Sequence, residues 1–185
     1  MKKRKIIFLR HAETEKNPDL NAALWDLSNQ GKIEAKNLAN LEVMSQIDSI
    51  YSSQEKKAIL TAEPIAKKLK REINPLSFFN EIKRGDKFLS KEDFEKEKIK
   101  QLTDLDYHAF NGESGSQALS RFKQGIEYIL EKDGETLLIV SHGTILNIYF
   151  ANLLNLYNQL PQRWQKTSFS AYGITENGIV VKDIV

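Results

Sequence analysis

The chain has 185 residues, with 27 basic and 25 acidic side chains, a formal net charge of +2 and a hydrophobic share of 41%. That is apolar material for one domain, residues 1–185, with a core several side chains deep, and the charge is too mild to make a nucleic-acid binder by itself. No cysteine is present, which excludes disulfides, thiolate nucleophiles and Cys-ligated zinc together.

The opening MKKRKIIFL has the basic flank of a signal peptide, but Arg10, His11 and Glu13 cut its apolar run short and no small-residue cleavage site follows. Residues 5–9 read as a short buried strand, and 30–44 as an amphipathic helix with Ile33, Leu38, Leu41 and Val43 as apolar candidates. A small strand at 49–51 precedes a helix over 55–71, where Ala58, Ala62, Ile65, Ala66 and Leu69 recur at helical spacing. A third strand is expected at 76–79. Residues 83–110, including KEDFEKEKIK, are dense in mixed charge and predict a solvated helical insert, bounded at about 83–111, over one end of the sheet. A helix at 113–132, a turn at Asp133-Gly134 and a strand at 136–140 follow. The greasy stretch 144–156 is interrupted by Asn147, Asn152 and Asn155 and is far short of a bilayer span, so it reads as a buried helix. Runs at 169–174 and 179–185 flank Glu176-Asn177-Gly178, a hairpin signal. The alternation predicts a three-layer α/β fold with a mostly parallel sheet and an antiparallel C-terminal edge. A cytoplasmic protein with no membrane partner and no nucleic-acid partner is the expectation.

In such a sheet, ligands bind beyond the carboxyl ends of the strands. Two of the three histidines fall there: His11 after KIIFL, and His142 after TLLIV, while His108 lies in the charged insert. Arg10 beside one offers a planar fork of donors, and Gly143 beside the other leaves a backbone N–H open at a helix start. Both suit an anion. No metal-ligand spacing such as HExxH occurs, and DLDYH reads as a solvated loop.

The segments FLRHAETEKN, LSNQGKIEAKNLA, IYSSQEKKAILTAE, NEIKRG, GES and LLIVSHG, in that order, resemble the histidine phosphatase superfamily, the phosphoglycerate mutase-like proteins. The resemblance implies phosphomonoester hydrolysis, with His11 the nucleophile that becomes a phosphohistidine. It implies that Arg10 and Asn17 bind phosphate, that His142 steadies the phosphoryl oxygens and that Glu81 protonates the leaving oxygen, with no metal and no cofactor. The chemistry is consistent: nearby cations keep a nucleophilic imidazole neutral, and a phosphate dianion pushes a neighbouring carboxyl towards its protonated form.

One position departs from the family pattern. Where an arginine is usual before Thr61-Ala62-Glu63, this chain has Lys57, which keeps the charge and loses the bidentate fork. Three readings stand: Lys57 binds phosphate as a point charge, Arg84 reaches in instead, or the protein is a weakened relative that binds phosphate or phosphoproteins without turnover. Phosphoglycerate mutase-type transfer is a further alternative, although the mutases carry larger insertions after the acid. The substrate, a small phosphomonoester or a phosphoprotein, would be chosen by the rim at 17–27 and 83–110, where Phe88, Phe94, Tyr107 and Phe110 line a pocket or anchor the insert. The same residues leave monomer and homodimer both open. Ser52-Ser53 and Glu113-Ser114 read as helix starts, Arg121 as a helix-surface or ion-pair residue, and Trp25 as packing.

Overall fold

In a computed structural model that describes residues 3–84, 90–132 and 134–185, the sheet takes the order β3-β2-β4-β1-β5-β6. Its strands are β1 (Lys5–Arg10), β2 (Ser49–Ser52), β3 (Ile73–Pro75), β4 (Thr136–Ser141), β5 (Tyr172–Glu176) and β6 (Ile179–Lys182). The helices are α1 (Asn29–Leu38), α2 (Lys56–Leu69), α3 (Lys91–Thr103), α4 (Gly115–Leu130), α5 (Gly143–Leu154) and α6 (Leu160–Lys166). The pairs β1–β4, β4–β2 and β2–β3 are parallel, whereas β5 runs antiparallel to both β1 and β6. This is the expected α/β architecture with its antiparallel C-terminal edge.

Alternate residues of the central strands feed two cores. Phe8 and Ile139 face a layer built from α4 and α5, including Phe122, Ile126, Ile145 and Phe150. Ile7, Leu9, Leu138 and Val140 face α1 and α2, through Leu38, Ala58, Ala62 and Ile65. Strands buried on both faces read as continuous apolar runs, which is why IIFL and LLIV show no alternation. The predicted buried helix is α5, from Gly143 to Ala151 shielded from solvent all round. Among the described residues no helix is long and apolar enough to cross a membrane.

Two expectations shift. The third strand is Ile73–Pro75, and 76–79 instead tighten into a 3₁₀ turn, Ser77–Phe79. That turn drives Phe79 into the core against Phe122, at 5.3 Å between ring centroids. Gly125 of α4 makes the close packing possible, since a Cβ there would stand 2.5 Å from the Cβ of Phe78. The first helix ends at Leu38 rather than near residue 44, leaving Ile33 53% and Leu41 39% exposed. The hairpin forms at Asn177-Gly178, both at positive φ (52° and 81°), as a primed turn requires. Asp133 and Phe88 lie outside the described residues, as does the side chain of Phe110.

The charged segment does form a helix, α3, but not a wholly solvated one: Lys98 and Gln101 are buried and Lys98 donates to the Gln101 side chain at 2.9 Å. Ser114 opens α4 with a full capping box to Gln117, as its sequence suggests. Arg121 pairs with Glu113 and also donates to the carbonyls of Ser77, Phe78, Asn80 and Glu81, so it ties down the segment that carries Glu81.

Candidate active site

The topology brings the two histidines together. Arg10 pairs with Ser141 across β1 and β4, so the next residue of each strand leaves the sheet beside the other. The His11 N–H donates to the Ser141 carbonyl at 2.9 Å, and the two imidazole centroids stand 5.1 Å apart with an interplanar angle of 59°. Both rings are buried. On the other side of β4, Ser52 pairs with Val140, which sets Ser53 next to His142.

Hydrogen bonds assign the ring protons. His11 Nδ1 lies 2.8 Å from the Ala12 carbonyl, which can only accept, so Nδ1 carries the proton and Nε2 the lone pair. His142 Nε2 lies 2.8 Å from Ser53 Oγ and 3.4 Å from a Glu55 carboxylate oxygen. Gln54 N–H donates to Asn80 Oδ1 at 2.8 Å, and the Ser53 hydroxyl donates to the same atom at 2.9 Å. Ser53 therefore accepts from His142 Nε2–H. His142 Nδ1 is left buried with no partner among the described residues. Burial, then His142 and Lys57, hold the His11 pKa well below its ordinary value. Burial and Lys57 do the same to His142. Both imidazoles are thus neutral near pH 7.

Arg10 is held on three sides. It donates to the Thr167 carbonyl, its guanidinium carbon lies 4.3 Å from the centroid of the Phe169 ring, and Gly143 forms its remaining wall. A Cβ on Gly143 would come within 3.0 Å of Arg10 Nε, so the glycine makes room for the guanidinium. Arg10 Nε, like His142 Nδ1, is buried without a partner among the described residues. Arg10 Nε is a donor, whereas His142 Nδ1 carries a lone pair in this tautomer and becomes a donor only when the ring takes a second proton. Next to Gly143 at the start of α5, the amides of Thr144 and Ile145 donate to Glu81 at 3.1 and 3.2 Å.

Glu81 therefore sits at the head of α5. Burial alone raises its pKa, but His142 whenever it carries a proton, Lys98, the Ile82 amide and Arg84 outweigh this and hold it below the ordinary carboxylate range. Lys57 is buried, and its charge is felt by both imidazoles. Its Nζ donates to the Ala22 carbonyl at 2.7 Å and to Glu55 at 2.5 Å. Arg84 is exposed, with its guanidinium 4.5 Å from the centroid of the Phe94 ring. Asn17 is exposed too: its amide oxygen accepts from Asp19 N–H, and Trp25 Nε1 donates to its carbonyl. That arrangement closes a surface turn and leaves Asn17 outside the buried cluster. Tyr107 donates to Glu97 within the insert, an anchoring contact.

Sequence reasoning missed Glu55, Phe169 and Lys98. Phe169 was assigned to a strand, yet β5 begins only at Tyr172, and the Phe169 ring instead stands 5.6 Å from His11. Glu55 offered one signal, an acidic side chain at a helix N-cap that makes no capping bond. Among the described residues no three His, Asp or Glu side chains gather as a metal-ligand set.

A mixed α/β sheet here brings two buried imidazoles and a half-buried arginine together at the carboxyl ends of β1 and β4. The chain belongs to the histidine phosphatase superfamily (branch 1), whose family profile matches residues 6–185. Phosphoserine phosphatase 1 of Hydrogenobacter thermophilus is 30% identical over 165 residues, covering 82% of this chain and 77% of the relative. The mycobacterial glucosyl-3-phosphoglycerate phosphatase has the same fold, with a TM-score of 0.80 at 17% identity and coverage of 99% of both chains. A histidine-to-alanine variant of Entamoeba histolytica phosphoserine phosphatase, solved with phosphoserine, gives a TM-score of 0.75 at 22% identity, covering 97% of this chain and 95% of that one.

Proposed function

We propose that the chain is a phosphomonoester hydrolase in which His11 Nε2 attacks phosphorus and forms a phosphohistidine. The observation that carries this reading is the neutral His11 ring, its lone pair on Nε2, 5.1 Å from His142 and beside two buried nitrogens that lack partners. Arg10 binds an equatorial oxygen, His142 Nδ1 binds another after its lone pair takes a proton from solvent as the phosphate dianion enters, and Lys57 adds a point charge. Glu81 takes up a proton when a phosphate dianion stands beside it and gives that proton to the departing alkoxide. It then recovers a proton from the water that hydrolyses the phosphohistidine. No metal enters the scheme. Asn17 and Arg84 act at the rim, where they meet the alcohol part of the ester. The phosphoserine phosphatase relative points to a small phosphorylated metabolite as substrate.

The Lys57–Glu55 ion pair favours one second reading, a phosphate-binding module without turnover, because it ties up a cation that the reaction would use. Incubation with p-nitrophenyl phosphate, phosphoserine, phosphoglycerates, sugar phosphates and phosphopeptides separates the two. The hydrolase releases phosphate in the presence of EDTA, loses activity on His11→Ala and shows an acid-labile, base-stable phosphoryl adduct after rapid quench. Phosphate binding with no release from any compound establishes the module instead.

A further inference from the structure

Glu55 is an anion built into an anion pocket. Its side chain is only 12% exposed and does not cap its own helix. One oxygen accepts from the Glu81 backbone N–H at 2.8 Å and lies 3.4 Å from His142 Nε2, and the other takes the Lys57 ammonium at 2.5 Å. A carboxylate thus bridges three members of the site: the backbone at the acid, the second imidazole and the buried cation. It satisfies a group that an oxyanion would otherwise claim, and it places like charge beside the incoming phosphoryl group.

We propose that Glu55 is an internal competitor for phosphate beside Lys57, its charge lowering the affinity of the pocket for the anion so that the product leaves. This rests on the phosphatase reading above and deepens it. The geometry sets the size of the effect. With Glu55 at 2.5 Å from Lys57 Nζ, a phosphate oxygen at ordinary charge-assisted distance from the same nitrogen comes within about 5 Å of the carboxylate. At that separation, like charges in a partly buried site weaken binding by roughly tenfold or more. Lys57 is shared rather than surrendered, since an ammonium has three protons and only two are engaged, one by Glu55 and one by Ala22.

The test is the affinity for inorganic phosphate, read by calorimetry and by competition against p-nitrophenyl phosphate. Glu55→Gln keeps the shape and an acceptor for the Glu81 N–H, and should tighten phosphate binding about tenfold. KM should fall with it and kcat should not rise. Glu55→Asp keeps the charge and should stay within about threefold of the parent protein. In a Lys57→Met background nothing neutralises the carboxylate, so the gain from Glu55→Gln should exceed the gain in the parent protein. Unchanged or weaker phosphate binding by a folded Glu55→Gln protein overturns the proposal, and so does a gain that vanishes in the Lys57→Met background. If Glu55→Gln does not fold, Glu55→Met, which removes the same charge, is read in its place. Calorimetry reports binding whether or not the protein turns over, so absence of turnover and absence of competition by Glu55 are separate results.

Discussion

Replacing Gly143 with alanine should lower activity without lowering stability. Gly143 is the first residue of α5 and its φ is not positive, so alanine fits the backbone and helix propensity favours it by up to about 1 kcal/mol. The new Cβ, however, would stand 3.0 Å from Arg10 Nε and 3.1 Å from its guanidinium carbon. Ordinary contact is about 3.5 Å, so the guanidinium has to retreat by about 0.4–0.5 Å. It has little room, because the Thr167 carbonyl holds one end and Phe169 covers a face at 4.3 Å. If Arg10 binds the phosphoryl oxygens as proposed, a displacement of that size costs about tenfold or more in kcat/KM, or about 1.4 kcal/mol of transition-state stabilisation. The assay is steady-state hydrolysis of p-nitrophenyl phosphate beside urea unfolding on the same preparations. Full kcat/KM in a protein of parental stability would refute the placement of Arg10 in the phosphoryl site. A loss matched by destabilisation would make the glycine merely structural.

Because burial and Lys57 depress both imidazole pKa values below 6.5, the unfolded chain binds more protons as pH falls through 6.5, and stability should drop from there downwards. Urea unfolding should show a loss of about 1.4 kcal/mol for each pH unit by which either pKa is depressed, and His11→Gln should flatten the slope. Lys98, 1% exposed and lowered by burial from 10.5 to about 8, adds a dependence of the same sign at alkaline pH. Stability should rise between about pH 8 and 10.5 by at most about 3 kcal/mol, and Lys98→Met should abolish that rise. Arg121→Met removes the partner of Glu113 and of four carbonyls around the acid segment. It should cost about 2–4 kcal/mol in chemical denaturation and reduce kcat more than it raises KM, through Glu81.

What could be read from the chain depended on periodicity. IIFL and LLIV are strands buried on both faces, and their carboxyl ends point the same way because β1 and β4 run parallel, so the meeting of His11 and His142 followed once fold class was recognised. The segment 76–79 defeated the same reasoning, since apolar residues in a tight turn look like a strand until Phe79 is seen packing on Phe122. Glu55 and Lys98 were illegible for a different reason. The burial of a charge depends on partners remote in sequence: Glu55 is explained by Glu81 and His142, and Lys98 by Gln101 and by Glu81, whose charge raises its pKa against burial. The second role of Gly143, making room for Arg10, appears only when β1 and α5 are assembled.

The Thr61 hydroxyl accepts from the Ala12 amide at 3.0 Å and donates to the Lys57 carbonyl at 2.7 Å, inside a residue with no exposed surface. One oxygen thereby pins the turn that carries the His11 ring to the first turn of the helix that supplies Lys57. Ring and cation cannot drift separately. A methyl in place of that hydroxyl, as in Thr61→Val, would uncouple their alignment while touching neither.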